Sequence, residues 1–232
     1  MDFLYVVYVL SMAAGALLFV VWMRDPRGVP RWEYLVATII PVWSGLVYLA
    51  MGLDLGTVEV AGQTTYWARY ADWVVTTPLL LVALWMTATT RTDRTHHAPT
   101  LVALLVADVV MILSGLVADL SAGPARYVFY GVGVVALVVI FWLVWGPLRQ
   151  TARHDPEVSD AYVKVAAFLA IFWIGYPLTW ILGPSGIGVF GQATDTLLFI
   201  VLPIFSKVGF SIYDLYLLRA MGGEVGRPAL AA

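Results

Sequence analysis

Seven apolar stretches, each close to the ~20 residues a helix needs to cross a bilayer, decide what this chain can become. They cover approximately residues 2–23, 32–53, 66–90, 100–120, 125–146, 161–183 and 192–219. Hydrocarbon offers no partner for a free backbone N–H or C=O, so a lipid-embedded stretch must satisfy its own hydrogen bonds as a helix. The expectation is an all-α membrane protein, a seven-transmembrane-helix bundle, multi-pass in a cell membrane of prokaryotic type, with the lipid bilayer as its main partner. Charged residues make up 12% of the chain, where soluble domains carry about 25%. A net charge of −2 leaves no footprint for nucleic acid. Cysteine is absent, which excludes disulfide and thiolate chemistry, and no metal site is read. The start, Met-Asp-Phe-Leu-Tyr, has no basic n-region and no evident cleavage site, so the first stretch reads as a retained span.

Short connectors rich in turn and charged residues separate the stretches, among them Arg24–Pro30 and Arg91–Pro99. The connector 54–65 is longer, and Thr57–Val60 followed by Ala-Gly predicts a small hairpin. No linker is long enough to divide the chain, which predicts one domain over residues 1–221 and a short tail at 222–232. Lysine and arginine set the orientation. With the N-terminus outside, the cytoplasmic side collects Arg24, Arg27, Arg31, Arg91, Arg94, Arg149, Arg153, Lys164, Arg219 and Arg227, and the outer loops collect only Arg126. The C-terminus is therefore placed in the cytoplasm.

That leaves Arg69 and Lys207 inside spans. A lysine at a helix centre costs roughly 2.5–3.5 kcal/mol on insertion scales. It is tolerated where the amine is paired, deprotonated or consumed, for example as a Schiff base with an aldehyde cofactor. Snorkelling is the bland alternative, but both ends of the last span lie far from Lys207. Span three carries Arg69 and Asp72 three residues apart, on one face, where they can pair with each other. Asp72 falls a little to the outer side of mid-membrane, a suitable depth for a counter-ion to a protonated Lys207 imine. The alternative is an Arg–Asp pair that only glues helices. In span six, Trp173, Tyr176, Pro177 and Trp180 fall at i, i+3, i+4 and i+7 on one continuous face. Joined by Tyr70 and Trp73, they suit a flat apolar ligand, although such a stripe is also what core packing or an interface belt looks like.

Three motifs then become specific. Arg-Tyr-Ala-Asp-Trp-Val-Val-Thr-Thr-Pro at 69–78, Trp-Ile-Gly-Tyr-Pro-Leu-Thr-Trp at 173–180 and Pro-Ile-Phe-Ser-Lys-Val-Gly-Phe at 203–210 resemble the signatures of microbial (type 1) rhodopsins, over nearly the whole chain. The resemblance implies a light-absorbing protein rather than an enzyme, with retinal, all-trans or 13-cis, bound to Lys207 as a protonated Schiff base. It implies Asp72 as counter-ion, Arg69 as the neighbouring charge, and Tyr70, Trp73, Thr77, Met111, Gly115, Trp173, Tyr176 and Trp180 around the polyene. Asp108 matches a buried carboxyl of the family. Outward proton pumps carry an aspartate one turn before the lysine, where this chain has Pro203, and a donor carboxylate eleven residues after the counter-ion, where it has Ala83. Asp214 lies seven residues beyond Lys207, two turns along the same face. Pro203 together with Asp214 resembles the xenorhodopsin group, which includes inward proton pumps and the cyanobacterial sensory rhodopsin. Residues 40–46 and 114–120 look especially close to the latter.

The resemblance leaves two outputs open. One is inward proton transport, with Asp214 as cytoplasmic acceptor and Asp195, with the Asp72–Arg69 pair, conducting protons back from outside. The other is photochromic signalling to a soluble cytoplasmic transducer, and a homo-oligomer is expected in either case. Outside the family stand a transporter using Lys207 and Asp72 as a substrate ion pair, and a heptahelical receptor for a diffusible ligand, which would carry larger loops. Colour on addition of retinal separates these from a rhodopsin.

Overall fold

A computed structural model describes residues 3–60 and 62–225. Among them seven helices are long and apolar enough to cross a membrane. They are α1 (Phe3–Arg24), α2 (Arg31–Gly52), α3 (Trp67–Ala88), α4 (Ala98–Asp119), α5 (Pro124–Ala152), α6 (Pro156–Leu182) and α7 (192–225). Between α2 and α3 stands the predicted hairpin, β1 (Val58–Val60) antiparallel to β2 (Gln63–Thr65), with Glu59 opposite Thr64. Successive helices run antiparallel. α3, α5 and α7 therefore start on the face where α1 starts, and each sets its first turn beside the hairpin end of the bundle. Residues 226–232, including Arg227, lie outside the described residues, while α7 itself runs on to Val225, past the expected start of the tail at 222.

Helix ends differ from the sequence expectation where proline is involved. The fifth span was expected to stop at 146, before Pro147, yet α5 passes through it by a π turn at Val144–Leu148 and continues to Ala152. A π turn absorbs the residue whose N–H proline lacks. The Tyr162 hydroxyl, buried on α6, donates to Val144 O at 2.6 Å within that turn. The sixth span starts at Pro156 rather than 161. Asp155 caps it, its carboxylate accepting from Glu157 N at 2.9 Å and Val158 N at 3.2 Å, and proline suits the first position because its missing N–H would be unbonded there anyway.

Exposed leucine and valine coat the outside of α1 and α4, and valine that of α5, as lipid-facing surface requires. α3 is the most enclosed span and supplies much of the core, including Leu80, Leu81, Leu84 and Met86. A salt-linked clasp joins two loops on the face opposite the hairpin. Arg91 donates to Asp155 and to Glu157, both at 2.8 Å, and His154 Nε2 lies 3.0 Å from Thr90 O. The Arg91 guanidinium beside it holds the Asp155 carboxyl below its ordinary range, helped by the cap bonds to Val158 and Glu157.

On the hairpin face Arg126 was assigned to an outer loop. It lies in the first turn of α5 and is buried. Its Nη1 donates to Gln63 Oε1 at 2.7 Å and to Ser185 O at 3.0 Å, tying β2 to the α6–α7 connection.

Candidate functional site

Two membrane-spanning helices, α3 and α7, each bring one charge to the same point. Lys207 is 1% exposed and Asp72 fully buried. The Lys207 amine donates to Asp72 Oδ2 and, at 2.8 Å, to Ser44 Oγ on α2. Ser44 in turn lies 3.1 Å from Asp72 Oδ2 and 2.6 Å from the Tyr8 hydroxyl of α1. A serine hydroxyl has one hydrogen and two acceptor positions. Donating to Asp72 while accepting from Lys207 and Tyr8 uses all three. A cation, an anion and their polar neighbours are thus mutually satisfied, the condition under which charges survive burial.

The expected Arg69–Asp72 pair does not form. Arg69 donates instead to Asp195 Oδ2 at 3.0 Å, with its guanidinium over the rings of Tyr66 and Phe199 at 4.4 and 4.3 Å. The reason is depth. Arg69 and Asp195 both stand in first turns of parallel helices and meet at one level. Asp72, about 4.5 Å deeper at 1.5 Å per residue, meets the lysine that leans back along α7 toward its N-terminus. Spacing on one helix permits a pair; partners on a second helix decide whether it forms.

The backbone at Lys207 is irregular. α7 switches to a π turn over Ile204–Gly209, directly after Pro203. Gly15 of α1 packs against this turn so closely that an added Cβ would stand 2.7 Å from Val208 Cγ1.

Beside the charged pair lies an apolar slot walled by residues of α3, α4, α5, α6 and α7, apolar and aromatic in lining as small-molecule sites are. All eight residues expected around a polyene line it: Tyr70, Trp73, Thr77, Met111, Gly115, Trp173, Tyr176 and Trp180. Pro177 and Phe199 add to its walls, as do Tyr130, Gly133 and Leu137 from α5. The Trp73 ring meets Tyr176 edge-on at 5.4 Å and Tyr70 at 5.0 Å. Glycine is needed at 115, where a Cβ would approach Tyr70 Cε1 to 3.1 Å and narrow the slot. Lys207 is not itself a lining residue. Its neighbour Ser206 is bonded to the lining Tyr176 through a 2.8 Å hydroxyl contact.

Two further carboxyls lie along the spans. Asp108 Oδ2 is 2.8 Å from the Thr77 hydroxyl, which is equally close to Trp73 O. Asp214, 4% exposed, accepts from Thr87 Oγ1 at 2.6 Å. Thr87 stands one turn beyond Ala83, so α3 faces Asp214 with a hydroxyl and not with a second acid. Sequence reasoning passed over Tyr8, Ser44, Thr87 and Phe199. The only signal for the first three is a hydroxyl inside an apolar span, and many such hydroxyls merely bond their own helix.

Fold and site together define a seven-helix membrane protein built around an intramembrane lysine–aspartate pair beside a flat aromatic slot. Residues 1–221 match the family described as bacteriorhodopsin-like protein, and the chain belongs to that family. It is 37% identical over 209 residues to archaerhodopsin-2 of Halobacterium sp. (strain aus-2), covering 87% of this chain and 78% of that one. It is 34% identical over 211 residues to bacteriorhodopsin of Haloterrigena sp. (strain arg-4), covering 88% and 82%. Among solved structures, the thermophilic rhodopsin from Rubrobacter xylanophilus superposes with a TM-score of 0.90 at 29% identity, over 96% of this chain and 97% of that one. A light-driven proton pump, the Coccomyxa subellipsoidea rhodopsin, does so with 0.83 at 30% identity, over 92% and 94%. The protein is a retinal-binding microbial rhodopsin of the cell membrane, a light-driven ion pump or sensor. The slot fits that cofactor, being long-walled, aromatic and held open by Gly115.

Proposed function

We propose that this rhodopsin is of the xenorhodopsin type and moves protons inward under light, from Lys207 toward Asp214. The observation that carries the reading is the carboxyl arrangement. Asp214 is buried two turns past Lys207 with Thr87 at 2.6 Å, whereas Ala83 and Pro203 leave no acid at the two positions an outward pump uses. The N-terminus lies outside and the C-terminus in the cytoplasm, as the distribution of lysine and arginine supports.

When bound, retinal supplies absorption of visible light and a light-driven change of shape. Lys207 holds it through Nζ, and the aromatic walls from Tyr70, Trp73, Trp173, Tyr176 and Trp180 keep it flat and dry, with Thr77, Met111 and Gly115 completing the slot. Nζ donates to Asp72 Oδ2 and Ser44 Oγ, and with retinal held on it the one proton it keeps would rest against the Asp72 carboxylate. Among the described residues Asp72 is its only acidic companion, since Pro203 contributes no charge. With Nζ turned away from Asp72 the proton would lose that stabilisation, and the Asp214 carboxylate would receive it. Asp195 and Arg69, paired at the outer end, are placed to return a proton toward Lys207 from outside.

Illumination of cells expressing the pigment should make the medium more alkaline, and a protonophore should abolish the signal. Asp214→Asn should remove it with colour intact, and Lys207→Ala should remove colour itself. A coloured protein with a complete photocycle and no protonophore-sensitive pH change would instead establish a photosensor acting on a soluble cytoplasmic transducer.

A further inference from the structure

Between Lys207 and Asp214 stands Ser211. The three fall at i, i+4 and i+7 of α7, one continuous face, and all are buried, at 1%, 2% and 4% exposure. The Ser211 hydroxyl has no hydrogen-bond partner among the described residues.

Buried serines and threonines in helices usually satisfy themselves by donating to the carbonyl four residues back. This chain does so repeatedly: Ser11 to Val7 O at 2.8 Å, Thr38 to Tyr34 O at 2.7 Å, Thr179 to Gly175 O at 2.8 Å. For Ser211 the corresponding acceptor is Lys207 O, which lies inside the π turn Ile204–Gly209. The turn changes the hydrogen-bond ladder at the one place where Ser211 would use it. A buried hydroxyl without a protein partner costs about 1–3 kcal/mol unless water satisfies it.

We infer that Ser211 is the polar step of the inward path, its hydroxyl anchoring water on both sides. The inference rests on the inward reading given above. At 1.5 Å per residue Ser211 lies about 6 Å along the axis from Lys207 and about 4.5 Å from Asp214. These rises are measured along the backbone, and because Lys207 Nζ leans back toward Asp72, the longer water-filled gap lies on the lysine side of the hydroxyl and the shorter one on the Asp214 side. Asp214 ends the path, and Thr87 fixes its carboxyl from α3. Ser211 does not touch the retinal slot, so it acts by positioning.

The test compares wild type, Ser211→Ala and Ser211→Thr as retinal-loaded pigments in membranes. Infrared difference spectra are recorded with ordinary and 18O water, and arrival of the proton at Asp214 is followed by its carboxyl C=O band after a flash. Ser211→Ala should keep the visible spectrum, lose a water O–H band that shifts with 18O, and slow the Asp214 band at least about tenfold. Ser211→Thr, which keeps the hydroxyl, should restore both. In a wild type that protonates Asp214, unchanged water bands and timing in Ser211→Ala would overturn the relay alone. So would equal slowing in Ser211→Ala and Ser211→Thr, since bulk and not the hydroxyl would then matter. A wild type in which Asp214 is never protonated would overturn the inward reading and this relay with it.

Discussion

Gly15 offers the sharpest test of how the bundle holds its lysine. An alanine Cβ there would stand 2.7 Å from Val208 Cγ1, 2.8 Å from Cγ2 and 3.3 Å from Cβ, where carbon atoms prefer 3.5–4.0 Å. Valine is stiff at χ1, and both its methyls collide, so a rotamer change cannot relieve the overlap. α1 and the π turn must move apart, and Val208 is bonded directly to Lys207. Overpacking of this kind costs about 1–3 kcal/mol, offset by the roughly 1 kcal/mol that alanine gains over glycine inside a helix. Gly15→Ala should therefore lose up to about 2 kcal/mol, and its absorption maximum should shift as the lysine is displaced. The assay is unfolding by dodecyl sulfate in mixed micelles, read by loss of visible absorbance, for Gly15→Ala, Val208→Ala and the double variant. Removing both valine methyls should leave only the 3.3 Å approach to Val208 Cβ and relieve most of the clash, giving a coupling of about 1–3 kcal/mol in the cycle. A cycle with additive effects, or an absorption maximum unmoved in Gly15→Ala, would refute the close α1–π-turn packing.

Three further outcomes are expected. Asp72→Asn leaves the cation at Lys207 without its anion, and the pigment's visible band should move to longer wavelength; an unmoved band would assign the counter-ion elsewhere, with Asp108 next. Asp195→Asn strands the buried Arg69 charge and should cost about 3–5 kcal/mol in the same unfolding assay, whereas Asp195→Asn of wild-type stability would mean that the two rings flanking Arg69 suffice. At the Arg91–Asp155 clasp the carboxyl is held below its ordinary range, so its contribution is present above the unfolded carboxyl's pKa and is lost as pH falls through the lower folded one. Wild type and Arg91→Ala should accordingly differ in thermal stability at neutral pH and converge in acid, and a constant difference down to strongly acid pH would exclude the clasp as the source.

The hydrophobic pattern alone determined that there would be seven spans, because lipid leaves a backbone no alternative to the helix. It also singled out Lys207 and Asp72, since a charge in an apolar run is conspicuous and expensive wherever the chain folds. The helical period put Trp173, Tyr176 and Trp180 on one face, and that face lines the slot. Tertiary structure decided everything that depends on which helix stands opposite. Arg69 and Asp72 share a face, yet each found its partner on α7, because depth across helices outranks spacing along one. Pro147 read as a break, and packing turned it into a π turn steadied by Tyr162, while Pro203, inside the expected seventh span, is followed by a second π turn. Ser44 and Thr87 were indistinguishable from any hydroxyl that bonds its own helix until Lys207 and Asp214 were set against them. A one-dimensional pattern records the cost of burying a group, while the partner that meets that cost is chosen in three dimensions.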